Sequence, residues 1–440
     1  MLHGVYINNI AGFLPGNPID NQQMEDYLGK IGDRPSKVKH RILKSNGIQQ
    51  RYYALDRQQN TTYQNSQMAA LAVRDLMAKA ALEPEAIDLL CAATSWPDLL
   101  IPGFASMVHG NLPELSPLEI VSTQGVCCAG VAALKYAASQ VALGSKRGAI
   151  AVASELASRL FKHTQFTDQS AVQTGKSLPF DTEFLRWMLS DGAGACWLQN
   201  HPNPRGLSLK LEWIELISHA NAYPVCMYAG ARDATAQKSW LDYPTYGTAA
   251  AAGAINLRQN IRLLEDVVKL GVEGWLKLIE TGRVQPDEID WLLCHYSSDF
   301  FRSQIVTLLE KAGCLIPESK WFTNLYTKGN TGCAAIYLML EELFHSGKLQ
   351  PGQTIFCFVP ESGRFTTAYL MLRVVAGHPP HCLPPGLQET DSPAVVLPLE
   401  TPESVPARLW RQLTLVWLEF ERQLRSVPLV RKLHRGGIHP

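Results

Sequence analysis

Three residues stand where reactive chemistry is easiest to arrange, at the junction of a predicted strand and a predicted helix. Cys128 lies in Gln124-Gly125-Val126-Cys127-Cys128-Ala129-Gly130-Val131, between an apolar run and a stretch rich in small residues. A thiol at a helix N-terminus feels the positive end of the dipole, which favours thiolate. Its own N–H is among the unpaired donors there and can hold an oxyanion. The same spacing also describes a buried structural cysteine. A thiolate nucleophile needs a base or cation beside it. His295 follows the apolar run Ile289-Asp290-Trp291-Leu292-Leu293-Cys294, at the C-terminal strand edge where α/β enzymes build sites. It also fits a strand-end histidine in a polar contact. Asn330, in Lys328-Gly329-Asn330-Thr331-Gly332, precedes a helix and fits an N-cap equally well. What joins the three is their matching place between strand and helix.

The elements that must position them alternate along the chain. Strands are expected over 5–14, 87–93, 118–123, 149–154 and 194–198, and helices over 21–31, 61–82 and 129–143. A second round begins near Leu207. It has one long helix or two joined helices over 254–281, then a strand over 289–296. Helices over 300–312 and 331–344 and strands over 354–359 and 366–375 complete it. This alternation predicts an α/β fold with mostly parallel sheets. The two rounds share an order of elements, which points to a duplication. Residues 377–405 hold the proline pairs Pro379-Pro380 and Pro384-Pro385 and read as a linker. An amphipathic helix is expected over 408–429, with Leu409, Leu413, Trp417 and Phe420 on one side.

Composition narrows the function classes. The 440 residues are 46% hydrophobic, enough for a large core. Forty basic residues balance forty acidic ones, so there is no basic excess to grip nucleic acid. No apolar run approaches the roughly 20 residues that span a bilayer. The N-terminus has no basic start or long apolar run, so no signal peptide is expected and the chain reads as cytoplasmic. The cysteines are scattered through apolar runs without a CxxC pair or HExxH, so neither a disulfide framework nor a metal site is expected.

Taken in order, Cys128-Ala129-Gly130, Ser190-Asp191-Gly192-Ala193-Gly194-Ala195, His295 after its apolar strand and Gly329-Asn330-Thr331 resemble ketosynthase III enzymes of the thiolase superfamily. Lys44-Ser45-Asn46-Gly47-Ile48 with Arg51 resembles that family's early loop, and Lys348 to Phe356 its last helix-to-strand turn. The resemblance covers about residues 4–375. It implies a thiolase-like α/β fold, two similar halves forming a five-layer αβαβα sandwich, divided as 1–200 and 201–376, with 377–440 as linker and helix. It implies that Cys128 is acylated by a thioester, and that His295 and Asn330 hold the carbonyl oxygen of a second thioester as its enolate forms. The N–H of Cys128 and an amide near Gly363-Arg364-Phe365 would form the oxyanion hole. Ile101, beside Pro102, would be lent to the acyl pocket of a second subunit in a homodimer. Substrates would be thioesters of coenzyme A or an acyl carrier protein, with no separate cofactor.

Departures from the family pattern refine this. Tyr296-Ser297-Ser298 replaces the usual residues after the histidine. Arg41 and Ser45 stand where housekeeping members clamp the coenzyme A nucleotide, and Glu361 brings charge to a loop that is glycine-rich in the family. These differences argue against a housekeeping initiator of fatty acid synthesis and for a specialised-metabolism enzyme that uses carrier-bound substrates. Arg41, Lys44 and Arg51 are then candidates to meet an acidic carrier helix. The expected reaction is a Claisen condensation. The alternatives are acyl transfer to an oxygen or nitrogen acceptor, and a non-catalytic partner subunit. Retention of Asn330 favours condensation over the first, and retention of the cysteine argues against the second.

Overall fold

A computed structural model describes residues 2–235 and 237–377. The expected linker and C-terminal helix lie outside the described residues. The main sheet has ten strands. Five come from the first half of the chain: β1 (Val5–Phe13), β2 (Leu89–Thr94), β3 (Glu119–Gln124), β4 (Gly148–Glu155) and β5 (Gly192–Gln199). Five come from the second: β6 (Leu207–Ser218), β7 (Trp291–Cys294), β8 (Trp321–Phe322), β9 (Thr354–Pro360) and β10 (Thr366–Ala376). Their spatial order is β3-β2-β4-β5-β1-β6-β10-β9-β7-β8, so each half repeats one order outward from the centre. The halves join along a short antiparallel ladder, Val5–Ile7 against Leu211–Leu209.

The sheet is mixed and not mostly parallel. Pairings β2–β3, β2–β4, β7–β8 and β7–β9 are parallel, and the other five are antiparallel. Only the strands linked through helices run parallel, as crossover geometry requires. The first and last strand of each half instead lie side by side as an antiparallel pair.

Helices complete five layers. On the outer face of the first half lie α1 (Asn65–Ala80) and α2 (Phe104–Gly110), which bury Met68, Val73, Leu76, Phe104 and Val108 against Leu90 and Val152. A capping box between Gln64 and Gln67 starts α1. Two helices fill the centre: α3 (Cys128–Ala142) and α4 (Ala335–His345). Both are apolar nearly all round, as a helix packed between two sheets must be. The outer face of the second half carries α5 (Leu264–Glu280) and α6 (Asp299–Lys311), with Trp275, Leu276, Ile305 and Leu308 in its core.

The central crossing depends on one glycine. A Cβ at Gly130 would lie 2.4 Å from the carbonyl oxygen of Cys333. The hydroxyl of Tyr337 donates to the Gly130 carbonyl at 2.8 Å, so the two helices meet there without a gap. Residues 254–263, expected as helix, instead contain a two-residue strand at Arg258–Gln259, and α5 starts at Leu264. Asn260 N donates to the Cys226 carbonyl at 2.7 Å, tying this segment to the loop before it.

Candidate active site

The cysteine that faces His295 is Cys127, one residue before the nucleophile expected from sequence. Cys127 already has helical dihedrals, and Cys128 is the first residue of α3. Consecutive helical side chains point about 100° apart. The Cys128 sulfur turns into the core, donating to the Val359 carbonyl at 3.2 Å and facing that of Thr366 at 3.6 Å. It lines neither the chamber that holds His295 and Asn330 nor the second chamber at Asn330, whereas Cys127 lines both. His295 Nε2 lies 3.2 Å from the Cys127 sulfur.

An internal symmetry accounts for the place of Cys128. Glu361, just after β9, accepts from Cys128 N at 2.9 Å and Val126 N at 3.3 Å, so it caps α3 from across the molecule. Glu155, at the end of β4, accepts from Cys333 N at 3.2 Å in the turn that leads into α4. The Cys333 sulfur faces the carbonyls of Ala93 and Ser154 at 3.7 and 3.9 Å. Each central helix is thus capped by a buried glutamate of the opposite half, and Cys128 and Cys333 are counterparts. Cys127 corresponds to Gly332.

The crossed caps also change the electrostatics expected at this helix start. Burial, then the carboxylates of Glu361 and Glu155, hold the Cys127 thiol well above its usual range. Burial, Glu361 and Cys127 do the same for Cys128. The thiolate expected from the helix dipole is therefore not the resting form. The Cys128 N–H, expected in the oxyanion hole, is already engaged by Glu361.

His295 follows β7, and its N–H donates to the Phe358 carbonyl at 2.9 Å, which extends the ladder to β9. Burial lowers its pKa to about 4, so the imidazole is neutral at ordinary pH. A neutral ring can accept a proton from Cys127 or, as the other tautomer, donate from Nε2. Asn330 is buried, and its Oδ1 accepts from Gly332 N at 3.0 Å. It therefore acts as a local cap while its side chain borders both chambers.

The first chamber, of about 520 Å³ with its open mouth, runs from Cys127, His295 and Asn330 between α5 and α6, along Val267, Val268, Phe301 and Ile305. The second, of about 860 Å³ with its open mouth, passes Ser95, Trp96, Gln124, Glu155 and Leu160. Met227 joins Cys127 and Asn330 in bordering both. It belongs to the long segment after β6, which is stitched to the loop after β9. Met227 N donates to the Ser362 carbonyl at 2.8 Å, Cys226 N to that of Gly363 at 2.9 Å, and His219 N to that of Phe365 at 2.8 Å.

The remaining expected residues divide. Gly363, Arg364 and Phe365 line neither chamber; Pro360, which ends β9, and Ser362 of the loop line the first. Arg364 Nε donates to the Tyr223 carbonyl at 3.1 Å, and the buried Phe365 ring packs on Tyr223. Ile101 is 86% exposed beside exposed Leu99 and Leu100, away from its own chain's chambers. Arg41 and Lys44 are exposed on the helix Lys39–Asn46. Arg51 is not available to a carrier: it is fully buried, with its guanidinium on Met24 Sδ and on Asn21 Oδ1 at 2.9 Å. Sequence reading placed the nucleophile on Cys128 in preference to Cys127, passed over Glu155 and Met227, and gave Glu361 no role. A carboxylate ending an all-apolar strand, as in Ala153-Ser154-Glu155, was the available signal for Glu155.

Among the described residues no cluster of three or more His, Cys, Asp or Glu side chains is arranged to hold a metal ion. No helix among them is long and apolar enough to cross a membrane.

Comparison with known proteins agrees with this geometry. Residues 279–371 match the family model for the C-terminal part of 3-oxoacyl-[acyl-carrier-protein] synthase III. The chain is 27% identical over 356 residues to beta-ketoacyl-[acyl-carrier-protein] synthase III of Porphyra purpurea, covering 80% of this chain and 94% of that protein. Among solved structures it is similar to AbyA1, a tetronic acid condensing enzyme (TM-score 0.67, 20% identity, 84% of this chain and 99% of that one). It is also similar to 3-oxoacyl-[acyl-carrier-protein] synthase III of Aquifex aeolicus (TM-score 0.63, 20% identity, 84% and 100%). A variant of OleA from Xanthomonas campestris has the same fold (TM-score 0.63, 20% identity, 85% and 100%). In its fold the chain is similar to these ketosynthase III-type enzymes, and its C-terminal part matches their family model.

Proposed function

We propose that this protein is an acyl-thioester condensing enzyme that forms a carbon–carbon bond through an acyl group held on Cys127. The observation that carries this reading is the contact of the Cys127 sulfur with His295 Nε2 at 3.2 Å, at the point where two chambers and Asn330 meet. In the first half-reaction the Cys127 proton passes to His295 Nε2 as the sulfur attacks the donor thioester. The donor carbon–sulfur bond then breaks, and the released thiolate takes up a proton. In the second, His295 Nε2–H and the Asn330 side-chain amide hold the carbonyl oxygen of the incoming thioester. They stabilise the enolate formed by loss of carbon dioxide or of an α-proton. The enolate carbon attacks the acyl carbonyl, the new carbon–carbon bond forms, and the Cys127 sulfur leaves and takes up a proton to restore the thiol. The chemistry is acyl transfer (class 2.3.1), and one chamber receives the acyl chain while the other receives the second thioester.

The two five-strand halves, 1–200 and 201–376, divide the labour: the first supplies Cys127, and the second supplies His295 and Asn330. Coenzyme A or phosphopantetheinyl carrier-protein thioesters serve as substrates without a further cofactor. Arg41 and Lys44 offer a basic approach for an acidic carrier. A cytoplasmic homodimer fits the surface. β3 is a six-residue outer strand paired only to β2, and the apolar loop Leu99-Leu100-Ile101 is open to a second copy.

Intact-mass spectrometry with a panel of acyl-coenzyme A and acyl-carrier thioesters, followed by peptide mapping, tests this. The acyl mass is expected on Cys127, to be lost in Cys127→Ala and retained in Cys128→Ala. An acyl group mapped to Cys128 would return the role to that residue, and no acylation by any donor would overturn the enzymatic reading.

A further inference from the structure

Glu361 is a buried carboxylate that bonds the amides on either side of Cys127 and takes no part in the steps above. It is 7% exposed, bonds the amides of Cys128 and Val126 and, among the described residues, pairs with no cation. Helix α3 has no cap from its own sequence, so its unpaired N-terminal amides and the positive end of its dipole meet this side chain.

We propose that Glu361 is a positioning residue that sets the charge state of the waiting nucleophile. Its carboxylate takes up the amides at the start of α3 and cancels the positive end of the helix, so Cys127 rests as a neutral thiol. Cys127 then yields its proton to His295 only when a thioester is in place. This rests on Cys127 being the nucleophile.

The other titratable groups facing Cys127 work in the same direction or are neutral. Glu155 at the end of β4 adds a second negative charge, tied by the Ser95 hydroxyl at 2.5 Å and by Cys333 N. His295 is held neutral by burial. Cys128 and Cys333 are buried thiols whose pKa values are raised as well. Nothing in this set offers a positive charge to a thiolate, so the helix start was the one source available, and Glu361 occupies it. The proton moves within the pair: the S–H bond of Cys127 breaks, the N–H bond of His295 forms, and the sulfur's electron pair makes the new bond to the acyl carbon. A thiol kept neutral until that moment resists oxidants and stray electrophiles, which react with thiolates.

The test separates charge from capping. Glu361→Gln keeps an oxygen that can accept from both amides and removes only the charge. Alkylation of the full-length protein by iodoacetamide is followed across pH, with peptide mapping of the modified cysteine. The native protein is expected to be modified on Cys127, with a midpoint above pH 9. E361Q is expected to react at pH 7.5 about tenfold or more faster, its midpoint lowered by about one pH unit or more. An E361Q midpoint equal to that of the native protein, with the label on Cys127, would leave Glu361 as a cap alone and overturn the proposal. Label on Cys128 in the native protein would instead sink the assignment of the nucleophile. If E361Q does not fold, the native profile decides, because a midpoint near neutral pH refutes a resting thiol.

Discussion

Gly130→Ala probes how finely the fold positions the nucleophile. The added methyl carbon would start 2.4 Å from the Cys333 carbonyl oxygen, which is backbone and not a flexible side-chain tip. Ordinary contact lies near 3.5 Å, so the two central helices must part by about 1 Å. Tyr337, bonded to the Gly130 carbonyl and 3.1 Å from the same Cβ position, blocks escape toward the first residues of α4. Overpacking of this kind costs about 1–3 kcal/mol, a loss of a few degrees in melting temperature. The effect on chemistry is larger. Cys127 is three residues away on the same helix start, and its sulfur must stay within reach of His295. A displacement of about 1 Å costs roughly 100-fold in rate. The assay pairs a thermal melt with the single-turnover rate of acyl transfer to Cys127, read by intact mass. Wild-type melting together with acylation within about twofold of wild type would show that the crossing does not position the nucleophile.

Two further outcomes follow from the chambers. The buried neutral ring of His295, at about 4 against an ordinary 6.5, makes the unfolded chain bind the proton first as pH falls. Stability from this group therefore declines between pH 6.5 and 4, by about 3 kcal/mol in all. Denaturant titrations of native protein and His295→Asn across that range should diverge by this amount, and parallel curves would refute a buried neutral ring. Met227→Ala removes the side chain that borders both chambers and should extend the accepted acyl chain by about two or three methylenes, at about 0.8 kcal/mol each. An unchanged chain-length profile in the intact-mass panel would mean that Met227 does not limit the space.

Much of the architecture was legible. Strands buried on both faces, such as Leu89–Thr94 and Gly148–Glu155, show as short apolar runs, and the central helix from Cys128 shows as a run of small residues. The twelve-residue strand Leu207–Ser218 was read only as the start of a second round, because its half-buried length lacks a compact apolar run. The elements that carry the candidate site were legible as well. His295 and Asn330 are where strand ends and helix starts put them. The choice between Cys127 and Cys128 turns on how far the first helical turn is rotated. That rotation is held by a carboxylate 233 positions away from Cys128, and local spacing carries no trace of it. Arg51 misled for a similar reason: its charge suggested a surface, while its partners Asn21 and Met24 take it into the core.

The crossed capping of the central helices makes the two halves dependent on each other through evolutionary time. Glu155 belongs to the first half and serves the turn at Cys333, while Glu361 belongs to the second and serves the turn at Cys128. Neither half carries the carboxylate that finishes its own central helix. A change at either glutamate is therefore first felt in the other half's inheritance. Of the two equivalent turns, only the one at Cys127 carries a thiol facing the chambers. The other has Gly332 in the corresponding place and keeps its glutamate cap. A gene encoding one half alone would leave a helix start uncapped, which ties the two repeats into a single heritable unit.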